Sequence, residues 1–413
     1  MAISGTAGSG QFDGEAIGQW DGDEPSAVRL RWKNGVIVSR EVLPPGAAPR
    51  DWHILPPLFD PQVNGFAGID FQQDELSPEQ LLLSVLELRR HACSKILLTL
   101  ITDEWPRLIK RLAHTKKLRD AHPELRDGIA GWHIEGPFLS EKPGYCGAHA
   151  PELMIDPTAR HMDELRDVTG DDPVLLTVAP ERPGALAAIE RAVKCGITIS
   201  LGHTDAATDV LRLAVKAGAR GFTHLGNGCP RTLDRQDNIL WRALNLMREP
   251  NSLIYGLIPD AIHITPDLFR IFHHAAAGFA QDRSPDSYGV DAQPFYYTTD
   301  AMAAAGAPPG TYRIGRLNLE VGADKVVRLP GQNLFAGSAL TPLEGYQRAC
   351  RMLAGRPLWQ NLSITPRVLM ELPQPLQVGS SADFCRVARG EDGLVRAGEL
   401  YVRGHPTELE VEK

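Results

Sequence analysis

The chain has 413 residues, of which 43% are apolar and 23% charged, a composition typical of globular proteins that excludes a disordered, collagen-like or coiled-coil chain. Its net charge of −8 argues against a nucleic-acid-binding surface, and no apolar run approaches the roughly 18 residues that cross a bilayer. The first residues do not resemble a secretory signal, and the six scattered cysteines suit a reducing compartment, so we expect a cytoplasmic protein without a membrane partner.

The two ends of the chain are predicted to be β-rich. Strand-like runs at 28–32 and 36–42 flank Asn34-Gly35, a strong signal for a β-hairpin. Strand character returns after about residue 373. We therefore predict a small β-sandwich domain built from both termini, residues 1–54 and 373–413.

Residues 55–372 alternate short apolar runs with segments of helical period, the pattern of a parallel sheet with crossover helices. A helix is predicted to begin at Ser77-Pro78, with Gln80 completing a capping box, and residues 311–336 are interpreted as an inserted hairpin. The eight candidate strands are Leu58–Val63, Ile96–Ile101, Ile129–Ile134, Val174–Val178, Ile197–Leu201, Gly221–His224, Ser252–Ile258 and Phe295–Thr299.

Eight such strands over about 245 residues predict an α/β fold, a (β/α)₈ TIM barrel that carries the catalytic site. The rival arrangement is a doubly wound sheet. It would need a glycine-rich fingerprint after the first strand, and none is present.

Reactive side chains cluster just after the carboxyl ends of these strands, where barrels hold their active sites. Glu135 ends the third strand, while His203 and His224 follow the fifth and end the sixth. One carboxylate and two imidazoles with open positions make the ligand set of many catalytic zinc sites. Asp300, after the eighth strand, is placed to act as general base and then as general acid.

Other interpretations remain open at this stage. His133 lies two residues before Glu135 on the same side of its strand, where it is expected to fill the barrel or support the site. A glycosidase could use Glu135 and Asp300 as its carboxylate pair, but it would leave both histidines without a role. A non-enzymatic scaffold without metal is the third alternative, and the intact candidate ligands count against it.

Seven segments, in chain order, carry a resemblance to a known family. They are PQVNGFAGIDF, HIEGPFLSEKPGYCGAHAPE, SLGHTDA, THLGNGCP, YGLIPDAIH, TTDAMAAAG and AGSALT, spread between about residues 57 and 341. The sequence resembles the N-acetylglucosamine-6-phosphate deacetylase family of the amidohydrolase superfamily. The resemblance implies a TIM barrel with a small β-sandwich domain, and a homodimer.

The resemblance also implies roles for particular residues. Glu135, His203 and His224 align with the ligands of one divalent metal ion per chain, with zinc the expected ion, and Asp300 with the catalytic acid and base. The residues that align with substrate contacts are His149 at the acetamide, Asn227 and Gly228 at the sugar phosphate, His263 at the substrate, and Arg235 at the phosphate, reaching across the dimer.

The implied reaction removes the acetyl group from N-acetylglucosamine 6-phosphate to give glucosamine 6-phosphate and acetate. A different N-acyl amino sugar or another N-acyl substrate is the alternative. Two departures from the family pattern bear on this choice. Gln62 and Asn64 replace a His-x-His pair, which implies one metal ion instead of two. The loop Leu225-Gly226-Asn227-Gly228-Cys229-Pro230 carries glycines where the family has larger residues. The loop after it also differs from the family pattern, so that either Arg231 or Arg235 could be the arginine that binds the phosphate.

Overall fold

The structure is a computed structural model that describes residues 12–20, 26–44, 46–249, 252–280, 294–331, 335–355 and 358–411. The chain forms two compact units, Met1–Pro57 with Pro373–Lys413, and Leu58–Leu372. None of the helices in the described ranges is long and apolar enough to cross a membrane.

In chain order the strands are β1 (Gly14–Trp20), β2 (Ser26–Lys33), β3 (Val36–Leu43), β4 (Trp52–Leu55), β5 (Leu58–Val63), β6 (Gly65–Phe66), β7 (Ile69–Asp70), β8 (Cys93–Ile101), β9 (Ile129–Glu135), β10 (Val174–Val178), β11 (Thr198–Leu201), β12 (Gly221–Phe222), β13 (Ile254–Leu257), β14 (Phe295–Tyr297), β15 (Gly310–Ile314), β16 (Leu317–Val321), β17 (Val327–Arg328), β18 (Phe384–Arg389), β19 (Val395–Val402) and β20 (His405–Glu408). The helices are α1 (Pro78–Arg90), α2 (Trp105–Ala121), α3 (Pro123–Gly128), α4 (Ala159–Thr169), α5 (Ala185–Lys194), α6 (Thr208–Lys216), α7 (Ile239–Leu246), α8 (Pro266–Ala280), α9 (Pro342–Met352), α10 (Trp359–Ser363) and α11 (Thr365–Leu369).

The terminal unit is a seven-stranded sheet in the order β20-β19-β18-β4-β1-β2-β3. The predicted hairpin joins β2 to β3, and Asn34 and Gly35 both take the positive φ angles that a tight two-residue turn requires. The sheet curls so that Trp32 on β2 packs its ring 5.4 Å from that of Phe384 on β18 and 5.7 Å from that of Tyr401 on β19. Both ends of the sheet therefore share one apolar core.

The second unit is the predicted barrel. Its eight parallel strands, β5 and β8 to β14, pair in sequence order, and we call them barrel strands one to eight. Every residue of barrel strands one and four is buried, because both faces of a barrel strand are covered. Closure is completed by a parallel bridge between Val63 and Ala301. Beside it, the buried carboxylate of Asp60 accepts a hydrogen bond of 2.6 Å from the Thr299 hydroxyl.

Two local predictions in this unit are confirmed. Ser77 and Gln80 form a complete capping box at the start of α1, with Pro78 in its first turn. The inserted segment forms a small antiparallel sheet of β15, β16 and β17. Residues 332–334 of the predicted hairpin lie outside the described residues.

Candidate metal and active site

Glu135, His203 and His224 meet at the carboxyl end of the barrel, as their positions at strand ends predict. The Nε2 atoms of His224 and His203 lie 2.8 Å and 3.4 Å from Glu135 Oε1. His203, His224 and Asp300 have φ angles of 48°, 30° and 50°, in the left-handed region that non-glycine residues seldom occupy. Such strain persists where the surroundings impose it, and it clusters at functional sites.

The ring of His203 is held from three sides. Its Nδ1 lies 2.8 Å from the backbone oxygen of Tyr145, which can only accept a hydrogen bond, so Nδ1 carries a proton and Nε2 faces Glu135. The backbones of Gly147 and Gly228 pack against the ring faces. A Cβ at Gly147 would approach His203 Cε1 to 2.8 Å, and one at Gly228 would approach Nδ1 to 2.9 Å, so any side chain at either position would push the ring away.

His149 joins the same cluster from the loop after barrel strand three. Its Nε2 lies 3.9 Å from Glu135 Oε2, and its Nδ1 lies 2.9 Å from the Thr102 hydroxyl. Within the described residues, Glu135, His149 and His203 each offer a donor atom within 4.8 Å of the other two. The structure therefore brings a third imidazole to the predicted ligands, where the sequence predicts a catalytic role for His149 at the substrate acetamide.

The charges in this cluster suit a cation. Burial alone would raise the pKa of the Glu135 carboxyl, but hydrogen bonds from His203 and His224 hold that pKa well below its ordinary value. Burial, together with the neighbouring His203, lowers the pKa of His149 to about 3. A buried carboxylate beside imidazoles is a donor set that a divalent ion such as zinc binds. The residues present therefore fit the predicted ion.

Asp300 lies beside the cluster, in the segment that follows Tyr297, the last residue of barrel strand eight. Its Oδ1 accepts hydrogen bonds of 2.7 Å from Asn64 Nδ2 and 3.1 Å from Gln62 Nε2. Burial, and then the negative charge of Glu135, raise the pKa of Asp300 to about 7. A carboxyl group with a pKa near neutrality can both accept and return a proton, which is what a general base and acid must do.

A cavity of about 510 Å³ opens from this cluster. Asn227, Gly228 and His263 line it, as does Arg231, whereas Arg235 is exposed and does not line it. The His263 ring bonds through Nδ1 to Asp260 Oδ2 at 2.6 Å. Burial opposes a charge on this ring, but the Asp260 carboxylate raises the pKa of His263 above its ordinary value. An anion in this part of the cavity would meet positive charge from Arg231 and His263.

Three groups that contribute to the site are not marked by any pattern in the sequence. They are the Tyr145 backbone oxygen, the Thr102 hydroxyl and Phe335, whose ring lies 5.4 Å from both the Arg231 guanidinium and the His263 ring. The remaining candidate, His133, is fully buried, and its Nε2 bonds to the Thr177 hydroxyl at 2.8 Å. That contact lies inside the barrel, in keeping with the filling or supporting role expected of it.

Comparisons with known proteins agree with this fold. No protein-family model matches the chain. An N-acetylglucosamine-6-phosphate deacetylase of Danio rerio is 29% identical over 363 residues, which cover 85% of this chain and 83% of that protein. An N-acetylgalactosamine-6-phosphate deacetylase of Escherichia coli O157:H7 is 29% identical over 290 residues, 69% of this chain and 70% of that protein.

Among solved structures, a variant of the N-acetyl-D-glucosamine-6-phosphate deacetylase of Mycobacterium smegmatis, in complex with N-acetyl-D-glucosamine-6-phosphate, superposes with a TM-score of 0.77. It is 28% identical, and the match covers 95% of this chain and 99% of that one. Because the similarity extends along most of the chain and includes the fold that places Glu135, His203 and His224 together, the chain belongs to the N-acetylglucosamine-6-phosphate deacetylase family of the amidohydrolase superfamily.

Proposed function

We propose that this protein hydrolyses the N-acetyl amide of N-acetylglucosamine 6-phosphate, releasing acetate and glucosamine 6-phosphate. The observation that carries the proposal is the placement of Asp300 beside the Glu135 and histidine cluster, at the inner end of one cavity. Membership of the family supports the substrate class, because relatives over most of the chain are named for this reaction.

Glu135, His203 and His224 are the residues that we propose to hold one divalent ion, with zinc as the expected metal. When bound, such an ion polarises an acyl carbonyl and lowers the pKa of water. Asp300 takes a proton from the attacking water. Its Oδ1 is occupied by Asn64 and Gln62, so we assign the proton to Oδ2. Asp300 then returns the proton to the amine nitrogen as the C–N bond breaks.

His149 is proposed to stabilise the acyl oxygen as negative charge develops on it. Its ring is fixed by the 2.9 Å contact between Nδ1 and the Thr102 hydroxyl. This contact leaves Nε2 directed towards the cluster, and we assign to His149 the tautomer that carries the proton on Nε2, which can donate it to the oxygen. Donors held in place before the reaction are worth more than flexible ones, since they need no reorganisation.

The sugar phosphate is proposed to bind at Asn227, Gly228, His263 and Arg231, which line the cavity of one chain. Arg235 does not line the cavity of its own chain, so a phosphate contact from it requires a second copy. We therefore propose a homodimer in which Arg235 reaches the neighbouring active site. We also propose a cytoplasmic location and a catalytic domain confined to residues 55–372, with residues 1–54 and 373–413 forming the sandwich domain.

An N-acetylated galactosamine 6-phosphate is the second candidate substrate. One observation favours it, which is the similarity to the Escherichia coli O157:H7 protein of that name. The two sugars differ only in the orientation of one hydroxyl.

The test is an acetate-release screen over N-acetylated hexosamines, each with and without a 6-phosphate, using metal-replete and chelator-treated enzyme. We expect release only from 6-phosphates and only with metal present. Release without metal would refute the metal-dependent mechanism, and release from no member of the series would refute the substrate class. The better of the two epimers identifies the sugar.

A further inference from the structure

One side of the active-site cavity is apolar. Ile101, Ala148, Ile314 and Leu317 line it together, and we call them the apolar wall. We propose that this wall receives the alkyl part of the substrate's acyl group, and that the enzyme also hydrolyses N-propionyl and longer unbranched N-acyl groups on the same phosphorylated amino sugar. The inference rests on the proposed function and extends it to the acyl side of the scissile amide.

The apolar wall adjoins the residue proposed to hold the acyl oxygen. Ala148 directly precedes His149 in the chain. Ile101 directly precedes Thr102, whose hydroxyl lies 2.9 Å from His149 Nδ1. An acyl oxygen that accepts a hydrogen bond from His149 therefore places the attached alkyl carbon near this wall.

The geometry of the substrate amide also directs the alkyl group of the acyl substituent towards the apolar wall. In a trans amide the alkyl group and the nitrogen substituent point in opposite directions from the carbonyl carbon. The proposed phosphate contacts Asn227, Arg231 and His263 follow barrel strands six and seven. Ile101 ends barrel strand two and Ala148 follows strand three, which lie opposite strands six and seven in a ring of eight. With the sugar directed towards the phosphate contacts, the alkyl group faces the wall.

The wall is held rigidly. Ile314 and Leu317 face each other as a cross-strand pair at the tip of the β15–β16 hairpin. The backbone N–H of Gly315 in that tip donates to Asp70 Oδ2 at 2.9 Å, and Arg316 bonds to Asp103 Oδ1 at 2.8 Å. The wall residues also pack on a buried cluster that includes Leu319, Val321 and Met302. A wall anchored at both turn residues can select by length.

An acetyl methyl group would contact only part of this surface. Burying one further methylene against it would favour binding by about four-fold, provided that space is available, and these residues line open cavity. A hydroxyl in the same place would lose its hydrogen bonds to water without gaining a partner from the wall. The wall therefore predicts a preference for propionyl over glycolyl, two groups of nearly equal size.

The first experiment compares N-acetyl, N-propionyl, N-butyryl and N-glycolyl forms of glucosamine 6-phosphate by release of the free amine from the metal-replete enzyme. We expect the kcat/KM of the propionyl substrate to lie within about tenfold of that of the acetyl substrate, and above that of the glycolyl substrate. A propionyl substrate that is cleaved more slowly than the glycolyl one, or more than tenfold below acetyl, overturns the inference.

The second experiment assigns the selection to the hairpin tip. Leu317→Phe should lower the propionyl-to-acetyl ratio of kcat/KM by about tenfold or more, because the larger ring fills the space beyond the acetyl methyl group. Leu317→Ala should raise the butyryl-to-acetyl ratio. The matched control is Leu233→Phe, a leucine lining the cavity in the loop after barrel strand six, which should leave both ratios unchanged.

Unchanged ratios in both Leu317 variants, or equal shifts in the Leu233 control, would show that the wall does not contact the acyl group. Failure of this inference is distinguishable from failure of the proposed function. If the acetyl substrate is hydrolysed and the propionyl one rejected, only the inference fails. If no N-acetylated sugar phosphate is hydrolysed, the proposed function itself fails.

Discussion

The amide nitrogen of Asn64 donates a hydrogen bond of 2.7 Å to Asp300 Oδ1 and so joins the residue after barrel strand one to the segment after barrel strand eight. Gln62 donates to the same oxygen at 3.1 Å. These are the positions at which the family resemblance leads one to expect two histidines. An amide that donates to Asp300 keeps this carboxylate as a proton acceptor, and it lacks the imidazole nitrogen with which a second metal ion would be bound.

Asp300→Asn should reduce kcat by roughly 10²- to 10⁴-fold, because the amide keeps the shape of the carboxylate but cannot accept the proton of water. Elemental analysis should find the same metal content as in the wild-type protein. A variant that retains more than about a tenth of the wild-type kcat would remove Asp300 from the proton-transfer role.

We expect one equivalent of divalent metal per chain. His203→Ala and His224→Ala should each lose metal and activity together, whereas His149→Ala should keep its metal and lose turnover. Metal content by elemental analysis, measured beside acetate release, separates the two behaviours. If His149→Ala loses the metal and His224→Ala keeps it, the ligand set is Glu135, His149 and His203, whose donor atoms also lie within 4.8 Å of one another.

Gly228→Ala should weaken metal binding. Its φ is 60°, and the added Cβ would approach the His203 ring to 2.9 Å, so the ring must move away from Glu135. Gly226→Ala is the matched control. Its φ is 97° and its Cβ would lie at ordinary contact distances, 3.4 Å from Ile264 and 3.7 Å from Phe272. Titration with a competing chelator should show weaker retention of metal in the first variant than in the second, and equal retention would dismiss the steric role of Gly228.

Arg231→Ala should lower kcat/KM for the phosphorylated sugar by roughly 10- to 150-fold and leave the unphosphorylated sugar nearly unchanged, since a hydrogen bond to a charged group is worth about 1.5–3 kcal/mol. Equal effects on both sugars would show that Arg231 does not contact the phosphate.

Arg235→Ala should lower kcat/KM selectively for the phosphorylated sugar only if Arg235 contributes to the active site of a second copy. The check is a mixture of Arg235→Ala chains with Asp300→Asn chains. In mixed dimers the Asp300→Asn chain supplies Arg235 to the intact Asp300 site of its partner, so activity towards the phosphorylated sugar should recover. Absence of recovery in verified mixed dimers would place Arg235 outside the neighbouring site.

Without metal, the wild-type protein should become less stable relative to the Asp300→Asn variant as the pH rises. Burial and the charge of Glu135 raise the pKa of Asp300 to about 7, above the value of about 3.9 expected in the unfolded chain. Between these two pH values Asp300 is protonated in the folded state and ionised in the unfolded state. The stabilisation that this proton provides is complete below about pH 4 and is lost as the pH rises through about 7.

Denaturant unfolding of both proteins with chelator present, between pH 5 and 7.5, measures the difference in unfolding free energy. As the pH rises towards 7, we expect the unfolding free energy of the wild-type protein to fall relative to that of Asp300→Asn by up to about 1.4 kcal/mol per pH unit. A difference that does not change with pH would contradict a raised pKa at Asp300.

The sequence by itself determined the strands of the barrel and the residues at their ends. Strands Leu58–Val63 and Val174–Val178 occur as predicted, and every residue in both is buried. A short, mostly apolar run such as Val174–Val178 suits a strand that is buried on both faces. Because the parallel strands of a barrel all end at the same face, the positions of Glu135, His203 and His224 at strand ends were enough to predict that they lie together. The sixth strand was predicted to reach His224 but ends at Phe222, because the left-handed backbone at His224 breaks the strand ladder.

Only the tertiary structure decided how those side chains are held. The Tyr145 oxygen that orients His203 is a backbone atom that any residue would supply, so no sequence pattern marks it. The approach of His149 to Glu135, and the lining of the cavity by Arg231 instead of Arg235, depend on the paths of loops after strands three and six. Loop paths are set by contacts between residues distant in sequence, such as the packing of Gly147 and Gly228 on His203, which local patterns do not record.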